Sequence, residues 1–158
     1  MQCSTLTEQA RHWAKVQTET IWMRDLFEGG STDYTWGAAV AEIDRVAAWL
    51  EAEFAHGQHM ALLSRNRAHW IMADMGIIHS GNVTVPLFTT HAQATAEYIL
   101  DFTDTQVLFL GETENWESVK AVLPEGCLIV TLPGADCDLP HTKWEQLVAE
   151  APSAAPAS

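Results

Sequence analysis

Basic side chains are scarce in this sequence. Its 158 residues carry eight Lys and Arg against 21 Asp and Glu, a formal charge of −13. A nucleic-acid module needs a basic face, and this composition does not supply one. The shortage is uneven: residues 68–158 hold only Lys120 and Lys143 against twelve acids. That half is a solvated acidic surface that keeps the chain soluble, and it repels phosphate-rich ligands unless another chain or domain brings cations. Cysteine is scarce as well. Cys3, Cys127 and Cys137 make no Cys-x-x-Cys pair, and an odd count fits reduced thiols in a cytoplasmic compartment. No apolar run approaches the roughly 18 residues of a spanning helix, and the opening MQCSTLTEQARHWAK has no signal-peptide core.

Nucleotide and hydrolase signatures are missing too. No G-x-G-x-x-G follows a strand, and there is neither a G-x-x-x-x-G-K-[ST] loop nor a G-x-S-x-G elbow. The only adjacent glycines, Gly29-Gly30, sit at an apparent hairpin turn. His56 and His59 have a spacing that could join a metal site, but no partners stand nearby, and a solvated loop accounts for them.

What is present is a globular pattern, 47% hydrophobic and 18% charged. Thr5 and Glu8 have capping-box spacing for a helix to about Gln17. TIWMRDLF and STDYTW, around Glu28-Gly29-Gly30, read as a hairpin with Ile21, Met23 and Phe27 on one side. Val40, Ile43, Val46, Ala47, Leu50 and Phe54 form a helical stripe capped by Thr35 and stopped by Gly57. Four apolar strands follow, MALLS (60–64), VTVPLF (83–88), QVLFLG (106–111) and CLIVTL (127–132), separated by helical segments. Thr90 with Gln93, and Thr142 with Glu145, are candidate caps for two of those helices. The alternation predicts an α/β fold: a mainly parallel sheet flanked by helices on both faces and preceded by a helix and β-hairpin. Residues 1–36 hold the helix and hairpin, 37–150 the βαβ units, and 151–158 a Pro/Ala/Ser linker.

Candidate site residues follow from that topology. Ligands in open α/β sheets bind beyond the carboxyl ends of strands, and helix N-termini offer free N–H groups. PLFTTHAQ (86–93) joins a strand end to a helix start. Thr89, Thr90 and His91 are therefore candidates to touch a ligand, unless Thr90 merely caps the helix and His91 is merely exposed. His69 and His79 flank a buried helix and are expected to cap it or bond locally. Asp74 interrupts the same helix and is expected on its one polar edge. Of seven tryptophans, Trp36 and Trp70 lie on apolar stripes and Trp49 and Trp116 nearer polar faces.

YTWGAAVAEIDRVAAWL, MALLSRNRAHWIMADMGIIHSGNVTVPLF and ATAEYILDFTDTQVLFLG, in this order, resemble the start of AMP-forming acyl-CoA synthetases. The resemblance rests on Tyr34-Thr35, Ser64-Arg65-Asn66, Gly81 and Val85-Pro86-Leu87-Phe88, and spans roughly residues 20–150. GETENWESVKAVLPEG resembles bacterial long-chain fatty acid ligases. The sequence departs from the family pattern at Ala38, where a capping Glu is usual, and at Gly57-Gln58-His59-Met60, where Gly-Asp-Arg-Val is common. It also carries Glu112-Thr113-Glu114 where some relatives place arginines for the phosphate of coenzyme A.

The resemblance implies a parent enzyme that uses ATP and Mg²⁺ to make an acyl-adenylate and passes the acyl group to coenzyme A. Its phosphate loop, ribose-binding acid and catalytic lysine have no counterpart in this sequence, so no catalytic or metal residue carries over. This chain alone is expected to be inactive and to bind none of these cofactors tightly. The segment that does carry over, as part of a coenzyme A channel, is Phe88, Thr89, Thr90 and His91. The implied partners are the remainder of such a polypeptide, a fatty acid, and in one arrangement a second copy of the chain. The implied location is the cytoplasm or the periphery of the inner membrane. Two other readings remain: a free-standing, non-catalytic scaffold domain of the same ancestry, and an unrelated flavodoxin-like nucleotide binder.

Overall fold

A computed structural model describes residues 5–152; Cys3 and most of the expected linker lie outside them. Helix α1 (Leu6–Val16) is capped by Thr5, whose hydroxyl accepts the Glu8 N–H while the Glu8 carboxylate accepts the Thr5 N–H. Strands β1 (Ile21–Phe27) and β2 (Gly30–Thr35) form the expected hairpin, with Gly29 at φ +86° in the turn. Of the three residues that the alternation sets on one side, Met23 is half-buried against the core. The hairpin register shifts between Ile21 and Met23, and both Ile21 and Phe27 stay exposed. Trp22 stacks on Trp36, with centroids 4.2 Å apart.

Helix α2 (Trp36–Glu53) starts at Thr35, whose side chain accepts the Ala38 N–H. Its buried residues are Ala39, Val40, Ile43, Val46, Ala47 and Leu50; it ends at Phe54, three residues before Gly57. Strand β3 (His59–Leu63), α3 (Ala68–His79), β4 (Val83–Leu87), α4 (Gln93–Thr103), β5 (Val107–Leu110), α5 (Trp116–Lys120), β6 (Leu128–Thr131), β7 (Thr142–Lys143) and α6 (Trp144–Glu150) complete the chain. The five strands β3–β7 form one parallel sheet in the order β4-β3-β5-β6-β7.

Strand alternation sorts the core onto two faces. Met60, Leu62, Val107, Phe109 and Val130 turn toward α2, α3 and α6. Ala61, Leu63, Leu108, Leu110 and Ile129 turn toward α4 and α5. Helices α2 and α3 pack closely where Gly76 meets Val46; a Cβ there would lie 3.0 Å from the Val46 Cγ1. One edge of the sheet is strand β4. The Val83 N–H donates to the Gln58 carbonyl, so alternate residues of β4 face β3 and Pro86 faces the open side without an N–H. A proline at that position blunts an exposed edge.

Two expected caps are absent. The turn closed by His91 N–H on the Phe88 carbonyl delays α4 to Gln93, with Ala92 as its uncapped N-cap. Thr142 pairs with Val130 as a strand residue, which leaves Lys143 at the α6 N-cap. The placement of α6 is set by Trp144, 1% exposed and among the largest fully buried side chains. Its indole N–H donates to the Glu42 carboxylate at 2.6 Å, and the ring meets His69 and Phe109 edge-on.

The flanking histidines reach across helices and do not bond locally. His69 Nε2 lies 3.5 Å from the Glu42 carboxylate, and His79 Nδ1 lies 3.3 Å from Asp44, which also holds Arg11 of α1. Burial alone would raise the Glu42 carboxyl pKa; hydrogen bonds from His69 and Trp144 bring it below the usual carboxylate value. Asp44 is treated the same way by its surroundings: burial opposes, and His79 and Arg11 carry its pKa down.

Candidate functional site

The carboxyl ends of β3, β4 and β5 open together, and three loops line that end of the sheet. After β3 come Ser64, Arg65, Asn66 and Arg67; after β4, Phe88 to His91; after β5, Gly111 to Glu114. The strand ends are held tightly against one another. The Gly111 N–H donates to the Leu63 carbonyl, and a Cβ on Gly111 would fall 2.0 Å from the Ser64 Oγ. Helix α3 is anchored here from a distance: the Asp25 carboxylate of β1 accepts the Ala68 N–H at 2.8 Å. This supplies a cap that Arg67 at the N-cap position does not.

A cleft of about 350 Å³ separates the β3 and β4 loops. One wall is Pro86, Leu87, Phe88, Thr89 and Thr90; the other is Ser64, Arg65, Asn66 and Trp70. The structure brings three of the four sequence-derived candidates to this cleft. Phe88 is 66% exposed, a large apolar ring at its mouth. His91 does not line the cleft; its ring sits edge-on to Phe88 with centroids 5.1 Å apart. The His91 Nδ1 is buried without a hydrogen-bond partner, and its carbonyl is held by the Asn115 amide at 2.8 Å.

The opposite wall went unassigned as a ligand surface in the sequence. Ser64-Arg65-Asn66 stood out as a motif and Trp70 as a core residue, but the rule that ligands bind beyond strand ends applies to β3 as much as to β4. That signal was available and points to the wall now seen.

The charges at this end are internally matched. Arg65 pairs with Glu114 and, at 3.5 Å, with Glu112; Arg67 pairs with Glu112 at 2.6 Å. The Arg67 guanidinium holds the Glu112 carboxyl below the usual range. The acidic loop is therefore not a bare repulsive patch, because its two carboxylates draw on the two arginines of the β3 loop. A second hollow of about 170 Å³ lies under the hairpin, between Tyr34, Arg67, His69 and Gly111. Burial raises the Tyr34 pKa there, with help from Asp25 and Glu42. A larger hollow, about 650 Å³, lies along the β6–β7 edge near Trp49 and Leu128, away from the strand ends.

The donor set tests the implied cofactors. Among the described residues no group of three or more His, Cys, Asp or Glu side chains is placed to hold a metal ion, and His56 and His59 make no such site. No glycine-rich loop follows any strand of the sheet. The described residues thus offer neither an all-protein metal cage nor a glycine-rich phosphate loop. Asp74, half-buried on α3, lines none of these hollows. No helix among the described residues is long and apolar enough to cross a membrane.

Comparison with known proteins converges on one family. Residues 8–157 match the family described as AMP-binding enzyme. The 3-[(3aS,4S,7aS)-7a-methyl-1,5-dioxo-octahydro-1H-inden-4-yl]propanoyl:CoA ligase of Rhodococcus jostii (strain RHA1) is 33% identical over 106 residues, 61% of this chain and 20% of that protein. Acetoacetyl-CoA synthetase from Streptomyces lividans superposes with a TM-score of 0.81 at 16% identity, over 94% of this chain and 25% of its own. A benzoate CoA ligase from Burkholderia xenovorans LB400 gives 0.77 at 20% identity, over 99% of this chain and 30% of its own. The chain thus spans about a fifth of the curated relative's length. The two structural likenesses establish the fold: a parallel sheet flanked by helices plus a hairpin, as in the N-terminal subdomain of CoA ligases.

Proposed function

The chain belongs to the AMP-binding enzyme family, and on that premise we propose that it is the N-terminal subdomain of an ATP-dependent acid–CoA ligase. In the proposed reaction ATP and a carboxylic acid give an acyl-adenylate and pyrophosphate, and the acyl group then passes to the thiol of coenzyme A with release of AMP. The acid in this reading is a long-chain fatty acid; the Rhodococcus relative's name makes a bicyclic propanoate the second candidate. The cleft at the ends of β3 and β4 forms one side of the coenzyme A channel, with Phe88, Thr89 and Thr90 on its wall and His91 supporting Phe88 from behind. The partners in this reading are the remaining polypeptide of such a ligase and its fatty acid, in the cytoplasm or at the periphery of the inner membrane.

The observation that carries the reading is the coincidence of the family match over residues 8–157 with an open cleft at the strand ends. In this reading the chain is inactive by itself: among the described residues no cluster of three or more His, Cys, Asp or Glu is placed to hold a metal ion, and the sequence has no glycine-rich phosphate loop. Pyrophosphate release from ATP and palmitate by the purified chain would refute that. The channel assignment is tested by grafting this chain in place of the matching segment of the Rhodococcus ligase. In a chimera that forms acyl-CoA, Phe88→Ala is expected to raise the KM for coenzyme A with little change in the KM for ATP. An unchanged KM for coenzyme A removes the cleft from the channel. The alternative, a free-standing scaffold domain of the same ancestry, is supported by the internally paired charges at the strand ends. A native protein of 17.5 kDa in its source cells would favour it.

A further inference from the structure

Helix α4 seals one face and displays two ordered stripes on the other. Inward, Ala96 and Leu100 are fully buried against the sheet. Outward, Tyr98 and Phe102 stand one turn apart and stack, with centroids 5.7 Å apart and planes 17° from parallel. They are 67% and 77% exposed. Glu97 and Asp101 repeat the same spacing beside them and are also exposed. Neither acid has a cation partner among the described residues. Single exposed apolar side chains are ordinary, but two aligned rings flanked by a parallel acidic stripe make a coherent surface. We propose that the outer face of α4 docks a basic, apolar protein segment: a helix presenting Lys or Arg beside aliphatic side chains at matching one-turn spacing.

Charge selects this occupant. Ring faces attract cations, and the neighbouring carboxylates add to the attraction. A second copy of the chain is a poor fit. A two-fold contact through α4 brings Glu97 and Asp101 of both protomers, four uncompensated acids, into one interface. A head-to-tail contact needs free cations, and six of the eight are engaged elsewhere. Arg11 is held by Asp44, Arg24 by Asp33, Arg65 and Arg67 by Glu112 and Glu114, and Lys120 by Glu117 and Asp138. Arg45 donates to the Ala151 carbonyl. Lys15 and Lys143 remain, on separate elements, and cannot supply a matching stripe.

The test uses the whole chain, isotope-labelled for NMR, and a synthetic amphipathic helix of Leu, Lys and Ala with adjacent Leu and Lys stripes. The control peptide has Glu in place of Lys. The Lys peptide is expected to shift amides concentrated in 93–104. Tyr98→Ser with Phe102→Ser, both on the solvent side, should weaken binding at least about tenfold, as loss of interface anchors does. Glu97→Gln with Asp101→Asn should weaken it several-fold and flatten its salt dependence, since exposed charges are screened. Amide spectra of the variants verify that the fold is kept. The proposal is overturned by shifts scattered over the acidic surface, by equal binding of the Glu peptide, or by binding indifferent to the aromatic variant. Dimerisation of the chain that Tyr98→Ser abolishes, seen by sedimentation, also overturns it in favour of a second copy.

Discussion

Replacing Trp144 with Phe tests whether α6 is fixed by a hydrogen-bonded wedge or by apolar packing alone. The indole is fully buried, and its N–H donates to the Glu42 carboxylate at 2.6 Å, a group that also faces His69. Phe keeps the ring against Phe109 and His69 but removes the donor. A hydrogen bond to a charged acceptor contributes about 1.5–3 kcal/mol. The vacated space, roughly 40 Å³, adds about 1 kcal/mol if the site does not collapse. The expected loss is therefore about 3 kcal/mol, a large part of the roughly 5–15 kcal/mol that holds a domain together. At this size it corresponds to a fall in Tm of about 6–12 °C. Urea unfolding followed by far-ultraviolet circular dichroism measures it, since tryptophan fluorescence would mix seven signals.

The decisive measurement is a double-mutant cycle with Glu42→Ala, for which a coupling of about 1.5–3 kcal/mol is expected. Additive losses would refute the wedge and leave simple packing. The pH dependence adds a second check. The Glu42 carboxyl sits below its usual value in the folded chain. Its contribution is then complete above the unfolded pKa, about 4.3, and fades as pH falls through the folded value. The difference between Trp144→Phe and the parent should narrow below that pH and stay constant from there to neutrality.

Three other substitutions and reactions probe separate features. Gly111→Ala places a methyl 2.0 Å from the Ser64 Oγ and should destabilise by about 1–3 kcal/mol. Ser64→Gly in the same chain should restore most of that loss, and thermal melts of the two variants decide it. Ala38→Glu rebuilds the reciprocal cap at Thr35, which already accepts the Ala38 N–H. It should raise stability by up to about 1 kcal/mol at pH 7, with no gain in a Thr35→Ala background. Burial pushes the Cys127 thiol up to about 11, so only about one molecule in a thousand carries the thiolate at pH 8. Iodoacetamide should label Cys127 far more slowly in the native chain than in urea, and equal rates by mass spectrometry would count against that burial.

Local chemistry made the first half of the fold readable. Thr5 with Glu8 and Thr35 before an apolar stripe specify helix starts through side chains that serve backbone N–H groups, and both caps form. The parallel sheet was readable because strands buried on both faces are apolar throughout. Thr90 and Thr142 mislead for the opposite reason: a cap forms only if the chain turns there. A turn at Phe88–His91 and a strand pair at Thr142 came first. Beside the β1 register shift Trp22 stacks half-buried on Trp36 while Ile21 stays exposed, a tertiary arrangement that no alternation encodes. In the cleft, the β4 wall was legible from its strand-to-helix position. Trp70 packs against the core, as its place on an apolar helix suggests, and its remaining surface lines the cleft, which that pattern does not reveal. The pairing of Glu112 and Glu114 with Arg65 and Arg67 joins loops more than forty residues apart, and composition alone reads those acids as repulsive.

The strand order β4-β3-β5-β6-β7 has a consequence for how the chain comes together during synthesis. Strand β3 emerges first; β4 adds to one side of it, β5 to the other, then β6 to β5 and β7 to β6. Every newcomer finds its neighbour already made and joins at a free edge, so no strand must prise two earlier ones apart. Growth on one side stops with β4, where Pro86 withholds a donor, and proceeds only on the other. The sheet can therefore be laid down in the order it is translated, with each apolar strand covered soon after it appears.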